Sequence, residues 1–134
     1  MTDAARAKRN DKHIANLPYV FRRKVRAIIK SLEGWGWRPV IVCSLRSYEE
    51  QAELVRKGYS RTMNSKHLRQ SDGYAHAVDM VCDGICWDEK MPGFVPYAKL
   101  QGHSAESFGC RWGGRFKGYH PILHDWAHIE YKTA

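Results

Sequence analysis

The sequence predicts one small domain in which helices and strands follow each other along the chain, an order that permits an α+β fold. Its 134 residues suit a single domain, and a hydrophobic content of 43% with five tryptophans is enough for a packed core. No internal repeat or low-complexity stretch is visible. We expect residues 1–13 to form a mobile basic tail and residues 14–134 to form the folded domain.

The first predicted elements are a helix and a buried strand. Asn16 can cap the helix, with Pro18 in its first turn. Apolar residues then recur at helical spacing from Phe21 until Gly34 ends the helix. The run Pro39–Cys43 is apolar throughout and has the length of a strand, so we predict that it is buried.

A second helix and a second strand come next. Ser47 and Glu50 form a capping-box pattern that begins the helix, and Gly58 ends it. Arg46 therefore lies between strand and helix, where its side chain can point into a cleft. Farther along, two-residue alternation predicts a strand in which Asp79 shares a face with small alanines. The alanines leave room for a metal ion above that face.

The last predicted strand covers residues 126–131. Alternation places every second residue of this strand toward the cleft and the others toward the core. The residues predicted to face the cleft are Trp126, His128 and Glu130. Asp125 comes directly before the strand, close enough to act on a water molecule beside His128.

Two segments carry residues suited to a catalytic zinc ion. The first runs from Ser65 through His67 to Asp79, and the second is Asp125-x-x-His128. A catalytic zinc needs three protein ligands and an open position, and a nearby carboxylate can accept a proton from the attacking water. We therefore predict that His67, Asp79 and His128 bind Zn²⁺ and that Asp125 is the general base of a hydrolase.

These segments resemble the motifs of the M15 family of zinc peptidases. The resemblance consists of Ser-x-His, a Gly-x-Ala-type strand that ends in Asp, and a later Asp-x-x-His, and it covers residues 40–131. It also includes Ser44-Leu45-Arg46-Ser47 with Gln51 and Gly58, and Trp112-Gly113-Gly114, which we expect to form a wall of the cleft. One departure is an apparent insertion, residues 68–72, between the first two ligands.

The family resemblance implies a fold and an activity. It implies an α+β domain of the hedgehog and D-Ala-D-Ala peptidase type, with a small antiparallel sheet that carries the zinc site and helices packed on its other side. Residues 14–134 then form a single zinc peptidase domain, in which Arg46 stabilises the oxyanion or binds a substrate carboxylate. The Asp-x-x-His and Trp-Gly-Gly segments are more like the phage L-alanyl-D-glutamate endopeptidase endolysins, with D-Ala-D-Ala hydrolysis as the alternative.

Charge and the N-terminal sequence bear on partners and location. A net charge of +8 predicts attraction to anionic cell-wall polymers, in addition to the peptidoglycan stem peptide as substrate. No nucleic-acid fingerprint is visible, so no nucleic acid is expected. The polar N-terminus has no signal-peptide pattern, and no apolar run could insert in a membrane. We expect a monomer that stays in the host cytoplasm until lysis and then acts on the wall from the periplasm.

Three other interpretations stay open at this point. The cysteines are expected to be reduced, but they could form a structural zinc site. His120 and His124 stand four residues apart before His128, but Pro121 disfavours a helix there, so a loop is expected. The chain could also be a zinc-stabilised module that binds wall polymer or nucleic acid without catalysis, although the presence of Asp125 argues against this. The cysteines are Cys43, Cys82, Cys86 and Cys110.

Overall fold

The computed structural model describes residues 1–60, 62–116 and 125–133. Over these residues, helices and short strands form the α+β fold that the family resemblance implied. The helices are α1 (Asp3–Ile14), α2 (Tyr19–Gly34), α3 (Tyr48–Arg56) and α4 (Phe94–Ser107). The strands are β1 (Pro39–Cys43), β2 (Ala77–Cys82), β3 (Arg111–Trp112) and β4 (His128–Glu130). None of the described helices combines the length and apolar composition that a membrane span requires.

The strands form an antiparallel sheet with the order β1-β2-β4-β3. Asp79, in the middle of β2, lies opposite Cys43 of β1 and opposite His128 of β4. Residues directly opposite each other in an antiparallel pair have Cβ atoms about 5 Å apart and point to the same face. The sheet register thus places Cys43, Asp79 and His128 in a row on one face.

The opposite face of the sheet packs against α2 and α4. Val78, Met80 and Ile129 alternate with the residues of that row and belong to the hydrophobic core. The buried face of α2 has the helical spacing that the sequence predicted, beginning at Phe21. From α4, Gln101 donates a hydrogen bond from Nε2 to the carbonyl oxygen of Met80 over 3.1 Å, which ties the helix to β2. The face that carries the polar row stays open to a cavity.

The predicted mobile tail at residues 1–13 is wrong, because most of this segment is helix α1. Arg6, Asn10 and Ile14 are buried, one turn apart on the same side of the helix. Asn10 accepts a hydrogen bond from the backbone N of Ile41 over 2.8 Å and donates one to the carbonyl of Pro39 over 3.1 Å. Since β1 is an edge strand, these bonds satisfy backbone groups that no neighbouring strand can reach.

Two further local predictions need correction. Helix α2 begins at Tyr19, after Pro18, and Asn16 does not cap it. The side chain of Asn16 instead donates a hydrogen bond to Ser44 Oγ over 3.0 Å. Strand β4 is shorter than predicted, and Trp126 lies before it in the core, with its ring 4.9 Å from that of Phe94. Two-residue alternation therefore does not apply to Trp126, which packs away from the cleft.

Candidate active site

Arg46 occupies the turn between β1 and α3. Helix α3 begins with the predicted capping box, in which Ser47 Oγ accepts a hydrogen bond from the backbone N of Glu50 and the Glu50 carboxylate accepts one from the backbone N of Ser47. The backbone N of Arg46 donates to the carbonyl of His67 over 2.8 Å. The turn and the loop that carries His67 are therefore fixed to each other.

His67 is buried, and one hydrogen bond of its backbone and one of its ring fix its position. Its backbone N donates a hydrogen bond to Ser65 Oγ over 3.1 Å, which holds the loop in place. Its ring Nδ1 lies 2.8 Å from the carbonyl oxygen of Ser44, which can only accept. Nδ1 must therefore carry the proton, so Nε2 of the neutral ring presents a lone pair to the site.

The insertion at residues 68–72 leaves the two ligand positions close together. Asp72 Oδ2 lies 2.7 Å from His76 Nε2, which ties the end of the loop to the residue before β2. The His76 ring packs edge-on against Tyr131, and His76 does not belong to the metal-ligand group. His67 Nε2 still lies 3.2 Å from Asp79 Oδ1, so the extra residues extend the loop without separating the ligands.

His128 approaches the same carboxylate oxygen from β4. Its Nε2 lies 3.1 Å from Glu130 Oε1 and donates to that carboxylate, which leaves a lone pair on Nδ1 of the neutral ring. Nδ1 lies 3.5 Å from Asp79 Oδ1. His67 Nε2 and Asp79 Oδ1 are both buried and make no hydrogen bond. Lone pairs from two imidazoles and a carboxylate thus meet in one place, an arrangement that is repulsive unless a cation lies between them.

The pKa values of these groups reflect the same need for positive charge. Burial alone lowers the pKa of His67, but the Asp79 carboxylate outweighs it and raises the pKa to about 10. Burial likewise opposes the charge on His128, whereas Asp79 and Glu130 raise its pKa to about 9. Burial acts to raise the pKa of Asp79, but the two imidazoles together hold it well below its ordinary value. The site therefore holds Asp79 as an anion and stabilises a cation beside it.

The sequence suggested that Trp112-Gly113-Gly114 forms a wall of the cleft. In the structure the segment does not line the cavity and instead packs against the backbone of Asp125. Gly113 and Gly114 begin a short 3₁₀ helix, Gly113–Arg115. A Cβ atom on Gly113 would lie 2.1 Å from the carbonyl oxygen of Asp125, so only glycine allows this approach. Trp112 is buried, and its Nε1 donates to the carbonyl of Trp126 over 2.7 Å. The segment fixes the backbone from which Asp125 enters the site.

Asp125 places its carboxylate beside the candidate metal ligands without belonging to the group that meets at Asp79. Its Oδ2 lies 3.8 Å from His128 Nδ1. Burial raises the pKa of Asp125 above its ordinary value, although His128 acts in the opposite direction. A carboxylate with a raised pKa, next to the place where a cation fits, is suited to accept and return a proton.

A cavity of about 490 Å³ lies above these residues. All five side chains that the sequence predicted for the site line this cavity: Arg46, His67, Asp79, Asp125 and His128. The other charged lining residues are Lys66, Arg111 and Glu130, and part of the wall is polar, with Ser60, Thr62 and Asn64. The region of His120 and His124 is outside the described residues. The cavity can therefore take a polar, charged ligand.

Gln51 supports the site, although no role was predicted for it. It is fully buried, and its Oε1 accepts a hydrogen bond from Arg46 Nη1 over 2.8 Å. Its Nε2 donates to the carbonyl of Thr62 over 2.7 Å and to Ser60 Oγ over 2.9 Å. The family resemblance included Gln51, and its spacing from Arg46 was visible in the sequence. The contact of Gln51 with the carbonyl of Thr62 could not be predicted, because every residue carries a backbone carbonyl.

The cysteines are free thiols, as expected, and do not form a metal cluster in the part of the chain that the structure describes. Cys43 instead groups with His67 and Asp79, with one potential ligand atom from each residue within 4.8 Å of the others. Its Sγ lies 3.6 Å from His67 Nδ1, the ring atom that donates to Ser44. Cys43 Sγ also accepts a hydrogen bond from Arg46 Nη2 over 3.3 Å, so the thiol lies close to the guanidinium, the His67 ring and the Asp79 carboxylate.

Comparison with known proteins shows what this fold is similar to. No protein-family model and no curated protein sequence matches the chain. Among solved structures, the L-Ala D-Glu endopeptidase ChiX of Serratia marcescens has a TM-score of 0.63 at 24% identity, with 92% of this chain and 86% of ChiX covered. The chain therefore has the fold of this endopeptidase.

Two further solved structures have the same fold over most of the chain. The LD-carboxypeptidase LdcB, whose structure concerns peptidoglycan recognition, has a TM-score of 0.53 at 19% identity, with 87% of this chain and 65% of LdcB covered. VanYB in complex with D-alanine-D-alanine has a TM-score of 0.53 at 18% identity, with 86% of this chain and 71% of VanYB covered. This is the fold that the motif resemblance implied.

Proposed function

We propose that the chain is a zinc-dependent peptidoglycan peptidase that hydrolyses the L-Ala–D-Glu bond of the stem peptide. The observation that carries the proposal is the meeting of His67 Nε2 and His128 Nδ1 at Asp79 Oδ1, with the Asp125 carboxylate beside them. The similarity of fold to the ChiX endopeptidase supports the choice of bond. The Asp-x-x-His and Trp-Gly-Gly segments favour the same choice.

The residues present fit a zinc ion. His67, Asp79 and His128 would hold it, and two of their ligand atoms are buried without any hydrogen bond that metal binding would have to break. The carbonyl of Ser44 and the carboxylate of Glu130 fix the far nitrogens of the two rings, as partners of metal-binding histidines commonly do. When bound, zinc supplies a Lewis acid that polarises the peptide carbonyl and makes water a better nucleophile at neutral pH.

Asp125 moves the proton in this proposal. Its Oδ2 accepts a proton from the attacking water and then gives it to the amine nitrogen of D-Glu as the peptide bond breaks. The carboxylate suits both steps because burial raises its pKa above the ordinary value of an aspartate. Gly113 makes this position possible, because it lets the Asp125 backbone lie against the 3₁₀ helix.

Arg46 stabilises the negative charge that develops on the carbonyl oxygen. Gln51 holds one end of the guanidinium through Nη1, and the other end, Nη2, lies 3.8 Å from Asp79 Oδ2 at the cavity. A guanidinium held in advance in a partly buried cavity stabilises an oxyanion without reorganisation during the reaction. The side chain is 16% exposed, so water screens this charge only in part.

The proposal includes the biological role of a phage endolysin. With a net charge of +8, the enzyme would be attracted to anionic polymers of the cell wall once it reaches the periplasm. The wall is then both the substrate and the surface on which the enzyme concentrates.

A lysis assay tests the proposed function. Gram-negative cells with a permeabilised outer membrane should lose turbidity when the zinc-loaded protein is added. The same protein treated with a chelator should have no effect, and excess zinc should restore lysis. Unchanged turbidity with the zinc-loaded protein, or full lysis with the chelated protein, would contradict the proposal.

A further inference from the structure

Three cationic side chains line the cavity, and two of them are already engaged. Arg46 donates to Gln51 and lies beside Asp79. Arg111 pairs with Glu130 over 2.8 Å. The ammonium group of Lys66 makes no hydrogen bond or ion pair with any residue that the structure describes. Within those residues, Lys66 is the cation of the cavity that remains available to a ligand.

The backbone holds Lys66 directly beside the candidate metal ligands. Lys66 precedes His67 in the sequence, and its carbonyl oxygen accepts a hydrogen bond from the backbone N of His76 over 2.8 Å. The side chain is half-buried in the cavity wall. Glu130 also lines the cavity and interacts electrostatically with Lys66, but its carboxylate already accepts hydrogen bonds from His128 and Arg111. The positive charge of Lys66 is therefore available for a carboxylate that enters the cavity.

The proposed substrate brings such a carboxylate to the leaving side of the scissile bond. In the stem peptide, D-Glu continues the chain through its γ-carboxyl group, so its α-carboxyl group is either a free carboxylate or blocked as an amide. We propose that Lys66 forms a binding subsite for the free α-carboxylate of D-Glu and thereby selects stem peptides that are not amidated at this position. This inference rests on the proposed function and names the substrate feature that the enzyme distinguishes.

Two synthetic muropeptides test the inference. They differ only at D-Glu, with a free α-carboxylate in one and an α-amide in the other. The wild-type protein should cleave the carboxylate peptide with the higher kcat/KM. In Lys66→Met, kcat/KM for the carboxylate peptide should fall about tenfold or more, the scale of a lost hydrogen bond to a charged group, and kcat/KM for the amide peptide should change little.

Two further variants serve as controls. Lys66→Arg keeps the charge and should retain most of the preference for the carboxylate. Lys90→Met removes one charge from an exposed turn outside the cavity lining and should leave both rates unchanged. An equal loss on both peptides in Lys66→Met, or an unchanged ratio, would overturn the inference and leave the proposed function in place. If the wild-type protein cleaves neither peptide at the L-Ala–D-Glu bond, both the proposed function and this inference fail.

Discussion

Asp125 and His128 lie three residues apart and face the same cavity, but their geometry gives them different roles. His128 Nδ1 lies 3.5 Å from Asp79 Oδ1, in the group of predicted metal ligands, whereas Asp125 Oδ2 lies 3.8 Å from His128 Nδ1 and outside that group. Asp125→Ala should therefore keep one zinc per chain and the fold. Activity should fall about a hundredfold or more, the usual scale for the loss of a positioned general base. Elemental analysis and turnover of a muropeptide measure the two effects.

His128→Ala is the matched control, because it removes a ligand from the same segment. This variant should lose both zinc and activity. Full activity in Asp125→Ala together with inactivity in Glu130→Ala would show that the assignment of the base is wrong. Zinc that persists in variants of His67 and Asp79 would place the metal elsewhere.

Gln51 should act on catalysis through Arg46. Gln51→Leu removes the acceptor that holds the guanidinium, so we expect kcat to fall roughly tenfold to a hundredfold while zinc stays bound. Glu49→Ala, an exposed change on the same helix, is the control and should have no effect. An unchanged kcat in Gln51→Leu would show that Arg46 needs no such support.

The sequence predicted the set of charged site residues but only some of the groups that position them. Only a few side-chain types bind zinc, mainly histidine, cysteine and carboxylates, so the two motifs were informative. The structure places all five predicted residues at one cavity. The carbonyl of Ser44, which fixes the His67 ring, is a backbone group that every residue carries. The support of Asp125 by Gly113 depends on a contact between distant segments, which spacing alone does not reveal.

Among the elements, helix α1 contributes to stability through polar side chains at the sheet edge. Asn10→Ala would leave the backbone N of Ile41 without its hydrogen bond. We expect the free energy of unfolding to fall by about 1–3 kcal/mol, the cost of an unsatisfied buried polar group. Arg9→Ala, at an exposed position of the same helix, should change it little. Equal stability of the two variants in urea denaturation would mean that α1 does not support β1.

Elements with a strong local signal were predicted well, whereas those that depend on distant partners were not. The buried run Pro39–Cys43 and the capping box at Ser47 both form as expected. Helix α1 was missed because two of its buried residues, Arg6 and Asn10, are polar. Polar residues near the N-terminus indicate a solvated tail when only the sequence is considered. Strand β3 has only two residues and exists through its pairing with β4, so no periodicity can indicate it.

At the scale of the whole molecule, the metal site should link stability to pH. In metal-free protein, Asp79 raises the pKa of His67 from 6.5 to about 10 and that of His128 from 6.5 to about 9 after the cost of burial. This stabilisation is fully present below about pH 6.5 and is lost as pH rises through these folded-state values. The Tm of metal-free protein should therefore be lower at pH 9.5 than at pH 6.5.

Zinc should change this dependence, because it replaces the protons on the two rings. The difference in Tm between zinc-loaded and metal-free protein should widen from about pH 6.5 to pH 9.5 as proton competition decreases. A variant with glutamine in place of both His67 and His128 controls for the other titrating groups and should lack this widening. A gap that stays constant with pH would contradict the assignment of these histidines as ligands.

Mass spectrometry of purified peptidoglycan after digestion with the zinc-loaded protein tests the proposed function most directly. The products should be peptides that begin with D-Glu, together with muramic acid that keeps only L-Ala of the stem. Asp125→Ala, which retains the metal site, should leave the peptidoglycan intact. Release of D-Ala alone would identify a carboxypeptidase. Peptidoglycan that stays unchanged after treatment with the zinc-loaded wild-type protein would contradict the peptidase function itself.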